Sequence, residues 1–169
     1  DSSPEIIREY MAKDPRVKVI TKPNSGYGNS MNRGFDMAEG EYIGIVESDD
    51  YADPEMFETL YRIAKENKLD VVKSGFYYYF SVPKEKNEKV EIVSKTRAGV
   101  TFCPATDFRA PMEMVEFFNI KPTIWSAIYR KDFIREYNIR FNETPGASFQ
   151  DASFNFKVMA QAKRVQLIQ

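Results

Sequence analysis

GEYIGIVESDDYADPE, residues 40–55, decides how the chain folds. Residues 42–46 form an apolar run of strand length, and Gly40 sits where a helix C-terminus prefers glycine. Asp53-Pro54-Glu55 then has the acid-proline signature of a helix start, so the stretch reads as helix end, buried strand, loop, helix start. Directly behind the apolar run, Glu47, Asp49 and Asp50 put three carboxylates into four positions. Two unit charges about 4 Å apart repel by about 4 kcal/mol at an effective dielectric near 20, so a cluster this tight calls for a cation.

Working toward the N-terminus, Tyr27, Met31, Phe35 and Ala38 recur at helical spacing and predict a helix within 25–39. Val17, Val19 and Ile20, stopped by Lys22-Pro23-Asn24, predict a short strand before it. Ser3-Pro4-Glu5 followed by Ile6, Ile7, Tyr10 and Met11 predicts an opening helix over about 4–13, capped by Ser3. Toward the C-terminus, Met56, Leu60, Ile63 and Ala64 carry a helix to about Asn67. Strands are expected at 71–72 and 76–82, then a charged turn at 83–89 and a returning strand at 90–93. Residues 97–111 read as irregular, 112–118 as a short helix, 123–129 as extended, and 131–137 and 151–162 as helices before a strand at 165–168. Tyr77, Tyr78, Tyr79 and Phe80 read first as packing surface and second as a ligand platform.

Strands alternating with helices predict an α/β fold with a mainly parallel central sheet flanked by helices, because parallel strands need crossovers. The 169 residues are the length of one domain, and no linker or repeat divides 1–169. In such sheets ligands gather where loops leave the carboxyl ends of the strands, which is the place of residues 47–50.

Charge and composition narrow the chemistry. Lys plus Arg (24) balance Asp plus Glu (25), so no whole-chain attraction to nucleic acid or anionic lipid is expected. With no histidine and one cysteine, Cys103, neither Ser-His-Asp nor Cys-His catalysis is available, and a Cys-rich metal site is excluded. No apolar stretch approaches the roughly 20 residues of a membrane-spanning helix. The expected location is cytoplasmic, or at the inner face of the membrane.

Three stretches can carry chemistry. Mg²⁺ and Mn²⁺ take hard oxygen ligands, and one or two carboxylates plus substrate phosphates suffice, so Glu47 and Asp49 form a plausible pair; the plainer reading has Asp50 and Asp53 cap the next helix with the other acids in solvent. Asn24-Ser25-Gly26-Tyr27-Gly28 at a strand-to-helix turn allows close backbone approach, and the helix N-terminus behind it favours an anion. Asn32 offers an amide to a sugar or base. The third stretch, Pro145 to Asp151, puts an acid at a helix opening after a flexible loop, where it acts either as a first-turn helix acid or as a general base.

The order of these motifs resembles the family 2 glycosyltransferases of GT-A fold. The resemblance rests on Asn24-Ser25-Gly26, Asn32-Arg33-Gly34, Ala38-Glu39-Gly40-Glu41-Tyr42-Ile43, the stop Glu47-Ser48-Asp49-Asp50, the segment Trp125-Ser126-Ala127-Ile128-Tyr129-Arg130, and Gln150-Asp151. It implies inverting, metal-dependent transfer of a sugar from a nucleotide-diphosphate donor, most simply a UDP-sugar, to an acceptor hydroxyl of a glycan or lipid-linked acceptor in bacterial surface polysaccharide synthesis. Asp49 and Glu47 would be the Mn²⁺ or Mg²⁺ ligands and Asp151 the base. Asn24, Gly26, Gly28, Asn32, Glu47, Ser48 and Asp50 would meet the donor, and Trp125 and Gln150 the acceptor. Glu47 stands where the family's pattern has aspartate, and Gln150 where it commonly has glutamate. The family's domain opens with a strand-helix-strand unit that this chain lacks, so the expectation is an N-terminally truncated fragment, inactive alone. Two other readings stay open: a non-catalytic sugar-binding or protein-association domain of the same fold, and a metal-dependent nucleotidyltransferase.

Overall fold

The structure, a computed structural model, describes residues 2–93, 97–107, 120–146 and 148–169. Its frame is a five-stranded sheet in the order β1-β6-β2-β7-β5, with β1 at Tyr42–Gly44, β2 at Val71–Ser74, β5 at Thr101–Phe102, β6 at Ala127–Arg130 and β7 at Val165–Ile168. β1 and β2 are both antiparallel to β6, which lies between them, so β1 and β2 run the same way; β7 is parallel to β2, and β5 is antiparallel to β7. The sheet is therefore mixed where the alternation of elements predicts a mainly parallel one. The helical crossover from β1 to β2 does keep the two strands in one direction, but it leaves a gap between them that β6 enters from the far end of the chain.

The helices follow their apolar spacing. α1 covers Ser3–Lys13, α2 Tyr27–Met37, α3 Met56–Asn67, α4 Pro104–Asp107, α5 Lys131–Glu136 and α6 Gln150–Gln161. α3 buries Leu60 and Ala64 with Leu69, Val72 and Ile128 on one face of the sheet. It stops at Lys68, which turns left-handed at φ 51°, and the Leu69 N–H reaches back to the Ala64 carbonyl at 2.9 Å. On the other face Val71, Ala127, Tyr129, Val165 and Leu167 meet the rings of Phe35, Phe141 and Phe154. There Phe141 and Phe154 stack at 4.1 Å, with Phe35 and Tyr129 each edge-on to Phe154 at 5.4 Å. Burial on both faces is what makes 71–72 and 167–168 consecutive apolar residues in sequence, with Gln166 a buried polar exception.

Several expectations are corrected. The strand expected at 17–20 does not form: Val17 and Val19 are exposed, and among the described residues the segment has no ladder partner and β1 pairs with β6 alone. The opening helix is preceded by Ser2 with no side-chain cap, and none of its residues is buried. The strand at 76–82 and its return are β3 (Phe76–Phe80) and β4 (Lys86–Val90), a two-stranded sheet apart from the main one, so the return begins four residues earlier than 90. The aromatic cluster Tyr77, Tyr78, Tyr79 and Phe80, expected as packing surface, is exposed on the two-stranded sheet, while Phe76 just before it is buried in the core. Residues 97–111 are irregular except for β5 and α4 in the described part. The helix expected at 112–118 lies outside the described residues.

Candidate functional site

One end of the sheet gathers the acids. β1 leaves the sheet at Gly44 and runs on to Glu47, while α2, which leads into β1, and α6, which leads into β7, turn their N-termini toward that same end. Tyr27 opens α2, and its hydroxyl donates to Glu47 Oε1 at 2.5 Å. The Tyr27 hydroxyl is held far above the ordinary tyrosine range, first by burial, then by its bond to Glu47 and by the negative charges of Glu47 and Asp151. Asp151, in the first turn of α6, is thus close enough for its charge to act on the hydroxyl that Glu47 accepts. Glu47 of the acidic stop is thus joined to Tyr27 beside the glycine turn, and Asp151 lies at the same end of the sheet.

Asp49 and Asp50 are exposed and make no side-chain hydrogen bond or ion pair among the described residues; Ser48 is likewise exposed. The backbone turns here, with the Asp50 N–H on the Glu47 carbonyl at 3.2 Å. The helix-cap alternative is not met: α3 starts behind Glu55 with no side-chain cap, and Asp53 Oδ1 accepts the Glu55 N–H at 2.8 Å in the turn before it. Among the described residues no three Asp, Glu or Cys side chains converge as a metal-binding group. The corner suits a cation that takes one or two protein carboxylates and finds its other ligands on substrate phosphates, with Glu47 Oε2 and both Asp49 oxygens left for it. α2 and α6 both lack side-chain caps, so their free N–H groups point positive dipole ends at this region.

The glycine turn serves the fold as well. Asn24 Oδ1 accepts the Gly26 N–H at 3.0 Å, and Gly26 sits at φ 83°, a left-handed conformation that favours glycine. A Cβ on Gly28 would stand 2.0 Å from the Asn142 carbonyl oxygen, so Gly28 lets α2 pack against the 141–144 backbone. Asn32 is 4% exposed and fully engaged: its Nδ2 donates to the Phe141 carbonyl at 3.0 Å and to Glu143 Oε1 at 2.9 Å, and its Oδ1 accepts the Phe141 N–H at 2.9 Å. Asn29 donates to the other Glu143 oxygen, and these bonds from Asn29 and Asn32 hold the Glu143 carboxyl below the usual carboxylate range. Asn32 is therefore turned into the protein, away from the sugar or base that the sequence suggests for it.

Gln150 is also internal, at 4% exposed. Its Nε2 donates to the Gly146 carbonyl at 2.8 Å and its Oε1 accepts the Ser148 N–H at 2.9 Å, which tightens the loop that delivers Asp151. Trp125 is half-buried and edge-on to Phe76 at 5.0 Å. It precedes β6 at the end of the sheet where β1 gives out, the same end as Glu47.

Sequence reasoning missed two residues. Tyr27 was legible only as a helix-spacing aromatic, although its place between Gly26 and Gly28 marks a ring held at a tight turn. Phe149 carries no sequence signal: it adopts φ 53°, costly for a non-glycine residue, with its ring 83% exposed two positions before Asp151. A cleft of ≈ 390 Å³ lies at the opposite end of the sheet, and three of the five cations that line it are engaged: Arg130 on Asp70 at 2.6 Å, Lys65 on Glu41 at 2.9 Å, and Arg164 on the carbonyls of Asn67 and Lys68.

The family model described as glycosyl transferase family 2 matches residues 1–161. The glycosyltransferase EpsJ of Bacillus subtilis (strain 168) is 28% identical over 168 residues, 99% of this chain and 47% of that protein. A cholesterol galactosyltransferase of Borreliella burgdorferi is 26% identical over 169 residues, 99% of this chain and 46% of its own length. The chain spans about half the length of these relatives. Residues 1–349 of S. aureus TarS superpose with a TM-score of 0.71 at 24% identity, over 99% of this chain and 45% of that one; its complex with UDP-GlcNAc gives 0.69 at 21% identity, over 99% and 44%. At these identities the structures speak for the fold, which is the GT-A fold with a mixed central sheet.

Proposed function

The chain belongs to glycosyl transferase family 2, and from that premise we propose that the acid end of its sheet is the donor-binding and catalytic corner of an inverting sugar transferase. The donor is a nucleotide-diphosphate sugar, with UDP as the nucleotide, and the acceptor is a hydroxyl of a glycan or lipid-linked acceptor in bacterial surface polysaccharide synthesis at the cytoplasmic face of the membrane. The observation that carries the reading is the Tyr27 hydroxyl, bonded to Glu47 and within the field of Asp151.

Glu47 and Asp49 would hold Mn²⁺ or Mg²⁺. When bound, that ion offsets the negative charge that grows on the diphosphate as it leaves. The chain's own groups do the rest. The bond from Tyr27 fixes the Glu47 carboxylate in one orientation, so only its outer oxygen faces the ligand. The N–H groups at the starts of α2 and α6 favour the diphosphate anion, with Gly26 and Ser48 beside it. Asp151 accepts the proton of the acceptor hydroxyl as that oxygen attacks the anomeric carbon from the face opposite the diphosphate, which inverts the configuration there. Trp125 forms a wall on the acceptor side. Asn24, Gly28, Asn32 and Gln150 act from behind, shaping the turn and loop that present these groups.

The test is binding of a panel of nucleotide-diphosphate sugars with and without Mn²⁺, with Asp49→Asn as control, read as affinity because the matched relatives are about twice this length. Expected is binding that strengthens with Mn²⁺ and loses that gain in Asp49→Asn. Equal binding in the variant sinks the metal role. Where turnover is followed in the whole protein, release of a nucleoside diphosphate supports transfer, release of pyrophosphate supports a nucleotidyltransferase, and binding without turnover supports a non-catalytic sugar-binding domain.

A further inference from the structure

Lys73 is 1% exposed in the middle strand of the sheet, one of the largest side chains that the fold seals completely. Its strand neighbours across β6 and β7 are Ala127 and Leu167, both apolar. The titratable side chain nearest it on those strands is Tyr129, also buried, whose hydroxyl donates to the Ile124 carbonyl at 3.1 Å; the charged pair Asp70–Arg130 lies at the far ends of β2 and β6. Among the described residues no carboxylate accompanies the amine. Its three donors go instead to neutral oxygens of one turn: the Thr123 carbonyl, Thr123 Oγ1 at 2.7 Å and Ser126 Oγ at 3.0 Å.

That turn carries Trp125. It is tied to β2 a second time by the Ser74 N–H on the Ser126 carbonyl at 2.8 Å, and the tryptophan ring rests on Phe76, two residues beyond Ser74. The two hydroxyls lie 2.7 Å apart, one donating to the other. An ammonium uses all three acceptors and leaves that hydroxyl pair intact. A neutral amine has two donors and a lone pair, so a hydroxyl that saturated the pair must swing round to donate to nitrogen, or an acceptor is left unmet.

We propose that Lys73 is a positioning residue for Trp125, holding it at the acid end of the sheet through the 123–126 turn, and that the proton on this buried amine sets how firmly the turn is held. The consequence for transfer rests on reading Trp125 as the acceptor-side wall; the positioning itself does not. Burial draws the Lys73 amine down to about 7, and the chain has no histidine to titrate in that range.

Trp125 is the single tryptophan, so its fluorescence reports the turn directly. The experiment follows emission of the 169-residue chain across the window from about pH 5 to about pH 8 in which histidines of other proteins titrate, with far-UV circular dichroism alongside. Expected is a shift with its half-point near pH 7, lost in Lys73→Met and moved to lower pH in Ser126→Ala, which removes one acceptor of the ammonium. A flat wild-type profile overturns the proposal, as does a shift that survives unchanged in Lys73→Met. Should Lys73→Met not fold, Ser126→Ala decides, and an unmoved half-point overturns. Asp49→Asn is expected to leave the fluorescence profile as it is, so failure of the donor site and failure of the lysine tie are read on separate signals.

Discussion

The Tyr27 hydroxyl and the Glu47 carboxylate, twenty residues apart in sequence, meet at 2.5 Å where α2 begins and β1 has ended. A hydrogen bond to a charged, half-buried acceptor is worth about 2 kcal/mol, and its loss leaves the acceptor desolvated without a partner. Tyr27→Phe keeps the ring that packs edge-on against Phe141 at 6.0 Å, so packing survives while the bond is lost. The expected outcome is a loss of about 2 kcal/mol in urea unfolding. A double-mutant cycle with Glu47→Ala, which leaves no side-chain acceptor, should return most of that figure as coupling; purely additive losses would contradict the bond's role.

Gly28 and Gly34 lie on the same helix and respond oppositely to a methyl group. At Gly28 the added Cβ meets the Asn142 carbonyl oxygen at 2.0 Å and its carbon at 2.8 Å, both backbone, so α2 must move off the 141–144 segment and break the bonds of Asn32. At Gly34 nothing lies within 4 Å. Gly28→Ala should therefore destabilise by at least about 2 kcal/mol, as overpacking does, while Gly34→Ala should stabilise by about 0.5–1 kcal/mol through helix propensity. Calorimetric melting of the two variants against the parent checks the pair of signs.

What the sequence carried was periodicity and punctuation. Phe35, Leu60, Ala64, Val71 and Val165 are buried as their spacing requires, and the acids at 47–50 stand behind β1 because an apolar strand must end before charge can begin. What it could not carry was pairing. Nothing local to 127–130 says that this strand inserts between β1 and β2, and nothing in the apolar character of 17–20 says that it has no partner; both depend on which edges remain open after the other strands pair. The same limit governs the site. Asn32 and Gln150 are side chains that suit a ligand in sequence, and only the neighbouring Phe141, Glu143 and Gly146 show their hydrogen bonds already taken. Tyr27 is the converse, an apparent packing residue whose hydroxyl joins the acids.

Asp49 and Asp151 should separate binding from chemistry. Asp49 is exposed, and its side chain has no partner among the described residues, so Asp49→Asn is expected to cost the fold little and to remove the Mn²⁺-dependent part of donor affinity. Asp151→Asn keeps shape and first-turn position but can no longer take a proton. Donor affinity should stay within about twofold of the parent, and in the whole protein turnover should fall by about 10²–10⁴, the usual contribution of a positioned base. Calorimetric titration with a UDP-sugar, followed by single-turnover transfer, distinguishes the two; equal loss of donor binding in both variants would remove Asp151 from the proton-transfer role.

Lys73 also fixes a sign for stability against pH. Its amine is drawn from the ordinary 10.5 to about 7 by burial, so the folded chain gives up that proton more readily than the unfolded chain does. Below about 7 both states hold it, and this group contributes no slope. Between about 7 and 10.5 the unfolded chain binds the extra proton, so stability from this group rises with pH, by up to about 1.4 kcal/mol per unit. The full cost of burying the cation is thus felt on the acid side of that window. Lys73→Met, similar in length and without charge, removes the slope: relative to the parent it should gain most below about 7 and progressively less as pH rises toward 10.5. Urea midpoints of the two chains on either side of neutrality measure this, and curves that stay parallel across the window would show that the amine in the folded chain titrates like an exposed lysine.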